Sequence, residues 1–154
     1  MRATQEACLR TAELFTEIAN KLTPHGLRTG FHAHEGDLLP LKDGDGTADV
    51  CAWNILAKNT PDDFILQYDT ANGMAGGADP VKPILDWPGR SISVHLKAPG
   101  QEVVGESGID WKAVFLACET VGGTQWYVVE HEDSTRMEAM PAIKLCIENL
   151  RSMK

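Results

Sequence analysis

FILQYDTANGMAGGADPVKPILDWPGRSISVHL, residues 64–96, holds the pattern that decides the fold. Phe64 to Tyr68 is a short, continuous apolar run, which reads as a buried strand. Asp69 stands at its exit, and a Gly-rich connection follows from Ala71 to Ala78. Asp79-Pro80 has the form of an N-cap followed by Pro at the first helical position. It opens a short helix, VKPILDW, in which Pro83 lies near enough to the start to be tolerated. Pro88-Gly89 stops that helix, and Ser91 to Leu96 is a second strand with His95 near its end. Strand, helix and strand in that order mean parallel strands joined by a crossover.

The same unit recurs on both sides. Residues 4–23 place Cys8, Ala12, Phe15, Ala19 and Leu22 on one face, a helical period. Pro24 and Gly26 end it. Leu27 to Phe31 reads as a strand, 43–49 (DGDGTAD) as a loop, and Asp49 as the cap of a helix through Trp53, Ile55, Leu56 and Ala57. Residues 59–63 (NTPDD) form a turn. Downstream, Gly100 to Gly108 is a loop, and Asp110 caps the helix WKAVFLACETV, closed by Gly122-Gly123. Trp126 to Val129 is a fourth strand. Residues 136–151 form a last helix with Met140, Ile143, Ile147 and Leu150 on one face.

The order α-βα-βα-βα-βα predicts an α/β fold with a parallel sheet, as a single domain over residues 1–154. Neither a GxGxxG turn nor a GxxxxGK[ST] loop is present, so nucleotide-binding doubly wound folds lose their usual signature. A closed (β/α)8 barrel averages about 31 residues per unit, and the repeats here match that step.

Composition is that of an ordinary globular protein, with 43% hydrophobic and 23% charged residues. The formal net charge of −8 makes nucleic acid a poor partner, because an acidic surface repels phosphate backbones. No apolar run is long enough to span a membrane, and the N-terminus lacks the form of a signal peptide. Cys8, Cys51, Cys118 and Cys146 form no CxxC pair, so they read as buried free thiols rather than zinc ligands. A cytoplasmic location is expected from these features together.

Each unit carries its chemistry at one place. The first strand is followed by His32-Ala33-His34-Glu35-Gly36-Asp37; the later ones end at Asp69, His95 and Glu130. Asp37 to Asp69 is 32 residues, Asp69 to His95 is 26, and His95 to Glu130 is 35, each near one βα unit. One such group per strand end converges on a barrel mouth, where barrels keep their active sites. Three carboxylates and an imidazole suit Mn, Co, Mg or Zn better than copper or an iron–sulfur cluster. Each residue alone has a plainer reading: a turn or cap for a single Asp, an interior histidine for His95, and a solvated acidic run for Glu130-His131-Glu132-Asp133.

Four segments together carry a more specific pattern: GFHAHEGDL (30–38), LQYDTANGMAGGADPV (66–81), PGRSISVHLKAPG (88–100) with VVGESGIDWKAVF (103–115), and WYVVEHE (126–132). In these the chain resembles the xylose-isomerase-like superfamily of sugar phosphate isomerases and epimerases. The resemblance implies the C-terminal half of a TIM (β/α)8 barrel. It also implies a divalent metal ion held by Asp37, Asp69, His95 and Glu130, with Glu35 as an alternative first ligand. Where many relatives carry Tyr-His-Asn-His, this chain has Phe31-His32-Ala33-His34. The chemistry implied is proton transfer beside a carbonyl through an enediolate, with Glu130 and Asp37 catalytic. His32, His34 and Lys97 are the implied contacts for a sugar or sugar derivative. A keto-polyol dehydratase or lyase on the same site is the alternative, as is an inactive metal- or sugar-binding fragment. The superfamily also contains DNA-repair endonucleases, which the acidic charge disfavours.

Such relatives are about twice this length. The resemblance places the first helix of this chain before the fifth strand. Three outcomes are expected of a half barrel, which exposes two strand edges: a homodimer, completion by a separate N-terminal half, or a truncated reading frame.

Overall fold

Thr4 opens the first helix. Its Oγ1 accepts from the Ala7 N–H at 3.2 Å, satisfying a donor that the helix leaves unpaired. Helix α1 then runs Gln5–Leu22 in this computed structural model, which describes residues 4–47, 49–106, 108–132 and 137–153. Its apolar stripe buries Cys8, Ala12 and Ala19, and Phe15 stacks on Phe64 with ring centroids 5.4 Å apart.

The strands are β1 (Gly30–His32), β2 (Ile65–Asp69), β3 (Ser93–Leu96) and β4 (Trp126–Val129). They form one parallel sheet in the order β1-β2-β3-β4, with helices between consecutive strands. This is half of a TIM barrel. The register pairs His32 with Gln67, Asp69 with His95, and His95 with Val128. Side chains alternate across the pleat. Leu66, Tyr68, Val94 and Leu96 are fully buried under the helices, where Trp53, Phe64, Ile84 and Val114 fill the core. The other face carries His32, Gln67, Asp69 and His95. Each large apolar side chain so buried stabilises the fold by about 1.5–3 kcal/mol.

Several elements differ from the expected ones. β1 starts later, because Leu27 is exposed and pairing with β2 begins only at Gly30. Asp49 does not cap the helix through Trp53. Cys51 is held extended by its bridge to Pro40, so α3 starts at Ala52 and runs to Asn59. The Gly-rich stretch contains a helix, α4 (Thr70–Ala75), whose N-cap is Asp69. The expected helix after Pro80 is the short α5 (Lys82–Leu85), with the Asp79 carboxylate accepting from the Val81 and Lys82 N–H groups. Between His32 and α3 lies a further short helix, α2 (Glu35–Leu38). Asp110 caps α6 (Trp111–Ala117) as expected, and the chain then widens into a π turn over Cys118–Gly122.

The last helix, α7 (Ala139–Ser152), turns its small residues inward. Ala142 and Cys146 are buried, and Cys146 Sγ accepts from the Val104 N–H. Met140, Ile143 and Ile147 face outward, as do Trp126 and Val128 on the edge strand β4. No described helix is long and apolar enough to cross a membrane.

Gly73 explains how a Gly-rich stretch can pack as a helix. A Cβ there would overlap the Tyr68 phenol, which is fully buried and has no room to retreat. Gly73→Ala is therefore expected to destabilise the fold by about 1–3 kcal/mol through overpacking. An unchanged urea midpoint would show that Tyr68 shifts aside.

Candidate metal centre

β1, β2, β3 and the residue following β4 each deliver one ligand-type side chain to the same end of the sheet. His32, Asp69, His95 and Glu130 bring a nitrogen or carboxylate oxygen each to within 4.8 Å of one another. The placement follows from the pleat. Asp69 and His95 are register partners on adjacent strands, and Glu130 continues β4 by donating its N–H to Leu96 O.

Asp69 has no solvent exposure. Its Oδ1 accepts from the Asn72 N–H at 2.7 Å and so caps α4. Its Oδ2 is buried without a hydrogen-bond partner, 3.9 Å from His95 Nδ1. Burial raises the Asp69 pKa, and the bond from Asn72 N–H only partly offsets this. The ionised carboxylate is thus undercompensated. His32 also has an unpartnered buried atom, Nδ1. Its pKa is lowered, first by burial and then by His95, which favours the neutral imidazole that ligates metals.

Glu130 joins two neighbours. Its Oε2 lies 2.5 Å from His95 Nδ1, and its Oε1 accepts from Lys97 Nζ at 2.8 Å. Burial pushes its carboxyl up, but the bonds from Lys97 and His95 prevail and hold it below the usual range. Lys97 Nζ also meets Glu132 at 3.0 Å. Burial works against the Lys97 ammonium, yet its bonds to the two glutamates hold its pKa above the ordinary value. Thr70 anchors this strand end, donating to Lys97 O at 2.7 Å and accepting from Lys97 N at 3.0 Å.

Of the residues expected to ligate, the structure brings together Asp69, His95 and Glu130. Asp37 stands outside the group: its Oδ2 accepts from the His34 N–H at 2.8 Å at the start of α2. His32, expected as a sugar contact, occupies the fourth place. Glu35 and His34 are exposed, with the His34 ring 4.8 Å from that of His32. Sequence reasoning did not single out Thr70, Asn72 or Glu132. The Asp-Thr-x-Asn order at a strand exit was the available signal for the first two.

The donor set fits a divalent cation. Two imidazoles and two carboxylates suit a borderline or hard ion. The unpartnered Asp69 Oδ2 is the strongest sign of fit, since a buried carboxylate oxygen without a partner is costly.

The fold is that of half a TIM barrel. The chain is similar to a sugar phosphate isomerase/epimerase from Parabacteroides distasonis, with TM-score 0.85 and 19% identity over 97% of this chain and 54% of that one. It is similar to an L-ribulose 3-epimerase, with TM-score 0.68 and 20% identity over 94% of this chain and 47% of that one. It is also similar to an AP endonuclease, family 2, from Brucella melitensis, with TM-score 0.65 and 19% identity over 94% and 55%. The chain therefore spans about half the length of these structures. No protein-family model and no curated protein matches it.

Proposed function

We propose that this chain carries the metal-binding half of a divalent-metal-dependent sugar isomerase or epimerase. The observation that carries the reading is the His32, Asp69, His95 and Glu130 group, with the Asp69 oxygen unpartnered inside it. These four residues would hold the ion. When bound, the ion supplies Lewis acidity to a carbonyl oxygen and so acidifies the adjacent C–H.

The protein's own groups would do the rest. Glu130 Oε1, kept ionised by Lys97, takes the proton from carbon and returns it. Return to the neighbouring carbon, with the hydroxyl proton moving to the former carbonyl oxygen, isomerises a ketose; epimerisation needs a second acid on the opposite face of the same carbon, which the rest of the barrel would have to supply. Lys97 offsets negative charge that develops on the substrate oxygen. His34, exposed beside His32, contacts a hydroxyl. Asp37 positions His34 through its backbone N–H. Turnover on this reading requires the rest of the barrel wall, from a second copy or another βα half. The net charge of −8 argues against a phosphodiester substrate.

The test is hydrogen exchange. The protein, loaded with Mn²⁺ or Co²⁺ and incubated with a ketose panel in deuterated water, is expected to incorporate deuterium beside the carbonyl. A folded, metal-loaded chain that exchanges none, as monomer or homodimer, would overturn the reading that this chain turns over substrate without another βα half.

A further inference from the structure

A cavity of about 480 Å³ adjoins the metal group, shares Glu130 with it and is also lined by Lys97, which donates to Glu130. Asn72, Met74, His131 and Glu132 complete its working surface. We infer that this site takes a neutral polyol ketose and rejects its phosphate esters, an inference that rests on the metal-site reading above.

The first argument is charge. Asp69, Glu130 and Glu132 against Lys97 leave a formal −2 with the imidazoles counted neutral, and one divalent cation brings it to zero. A neutral sugar preserves that balance, whereas a phosphate dianion breaks it in a partly buried mouth. Lys97 is the only Lys or Arg among the described residues lining the cavity, and two carboxylates occupy it, at 2.8 and 3.0 Å.

The second argument is hydrogen-bond sense. Carboxylates accept and do not donate. Sugar hydroxyls donate, so Glu130 and Glu132 can receive them. A phosphate dianion offers only acceptors and finds no complement in either carboxylate. Ala71, Ala75, Ala98 and Pro99 give the remaining wall small apolar groups, suited to the C–H face of a sugar.

The third argument concerns helix starts. Barrels often cradle phosphate on late loops and helix N-termini. Here α2, α4 and α6 each begin under an aspartate: Asp37 on the His34 N–H, Asp69 on the Asn72 N–H, and Asp110 on the Ala113 N–H. The sequence over 98–110 contains Glu102, Glu106 and Asp110 and no Lys or Arg.

The test titrates the Mn²⁺-loaded protein with a neutral ketohexose and with its 1- and 6-phosphates, following water-proton relaxation at the bound Mn²⁺. Ester binding weaker than neutral-sugar binding by about tenfold or more is expected. Esters binding as tightly as the neutral sugar, or no ligand binding to metal-loaded protein, would overturn the inference. Failure to take up Mn²⁺ at all would instead remove the metal-site reading beneath it. Glu132→Lys supplies the independent arm: it is expected to bring the esters to parity with the neutral sugar. An unchanged preference in that variant would show that charge at the mouth does not set it.

Discussion

Asp69→Asn is expected to abolish the thermal stabilisation that Mn²⁺, Co²⁺ or Zn²⁺ confers, while leaving the metal-free fold as stable as before or more so. The asymmetry follows from what the carboxylate does. Asp69 is fully buried, one oxygen caps α4, and the other has no partner. Burial raises its pKa first, with the Asn72 N–H opposing. An acid whose folded pKa is raised holds its proton more tightly in the native state. Its ionised form therefore costs stability at neutral pH, and the cost is relieved as pH falls through the folded value. Asparagine keeps an oxygen for the cap and removes the charge, so the metal-free protein loses nothing. A bound cation compensates the wild-type charge and has nothing to compensate in the variant.

The size of the effect can be set in advance. A ligand at a hundred times its Kd stabilises by about 2.7 kcal/mol. For a chain of this length that corresponds to roughly 5–10 °C in Tm. The wild type should show a shift of that order, reversed by EDTA, and Asp69→Asn none. Equal shifts in both proteins would sink the assignment. The same assay separates the two histidine-region residues. His32→Ala should lose the shift, and Asp37→Asn should retain it.

That last contrast marks where pattern reading stops. Asp69, His95 and Glu130 were legible because each closes an apolar run, one βα unit from the next. The first strand offers no such clarity. Residues 30–38 contain two histidines, a glutamate and an aspartate, and spacing alone selects none of them. The pleat decides: β1 is three residues long and ends on His32, in register with Gln67, two residues before Asp69 on the same face. The chain then enters α2, where Asp37 meets an unpaired backbone N–H. A local cap thus takes a residue that a one-dimensional count had placed in the mouth.

Elsewhere the misreadings share a cause. Gly-rich 71–78 scores poorly as helix, but the Asp69 cap and the close approach of Tyr68 to Gly73 outweigh a propensity cost of about 1 kcal/mol per glycine. Of the expected α7 stripe of Met140, Ile143, Ile147 and Leu150, only Leu150 packs against the core; the first three are exposed, and the buried side bears Ala142 and Cys146. Periodicity finds a face and leaves open which neighbour covers it. Glu132 read as part of a solvated acidic run, and only its 3.0 Å approach to Lys97 gives it a role.

Arg90→Met is expected to destabilise the fold by about 3 kcal/mol or more without altering metal affinity in the folded fraction. Arg90 is 5% exposed, and no described carboxylate lies within ion-pair distance of it. Its fork instead donates to backbone and hydroxyl: Nε to Phe64 O at 3.0 Å, one terminal nitrogen to Ala57 O at 2.7 Å, and the other to Thr60 Oγ1 at 2.7 Å. Burial lowers its pKa, with Asp62 and Asp63 opposing from a distance. Ala57 O belongs to the last turn of α3, where carbonyls lack helical partners and a cation is favoured. Methionine would fill similar volume and leave two buried carbonyls unpaired, at about 1–3 kcal/mol each. Removing the desolvated charge recovers part of that loss, which keeps the expected figure at the lower end. Lysine should restore little, because a single ammonium cannot span three acceptors that a planar fork reaches together. Against a total stability of roughly 5–15 kcal/mol, the change is large enough to read as a lowered urea midpoint at constant slope. A Met variant within about 0.5 kcal/mol of wild type would refute the account, since that is the range of ordinary surface substitutions. The metal shift should survive in whatever fraction folds. Arg90 precedes β3 and Phe64 precedes β2, so the fork ties down the entry end of the sheet, while His32, Asp69, His95 and Glu130 gather at the exit end.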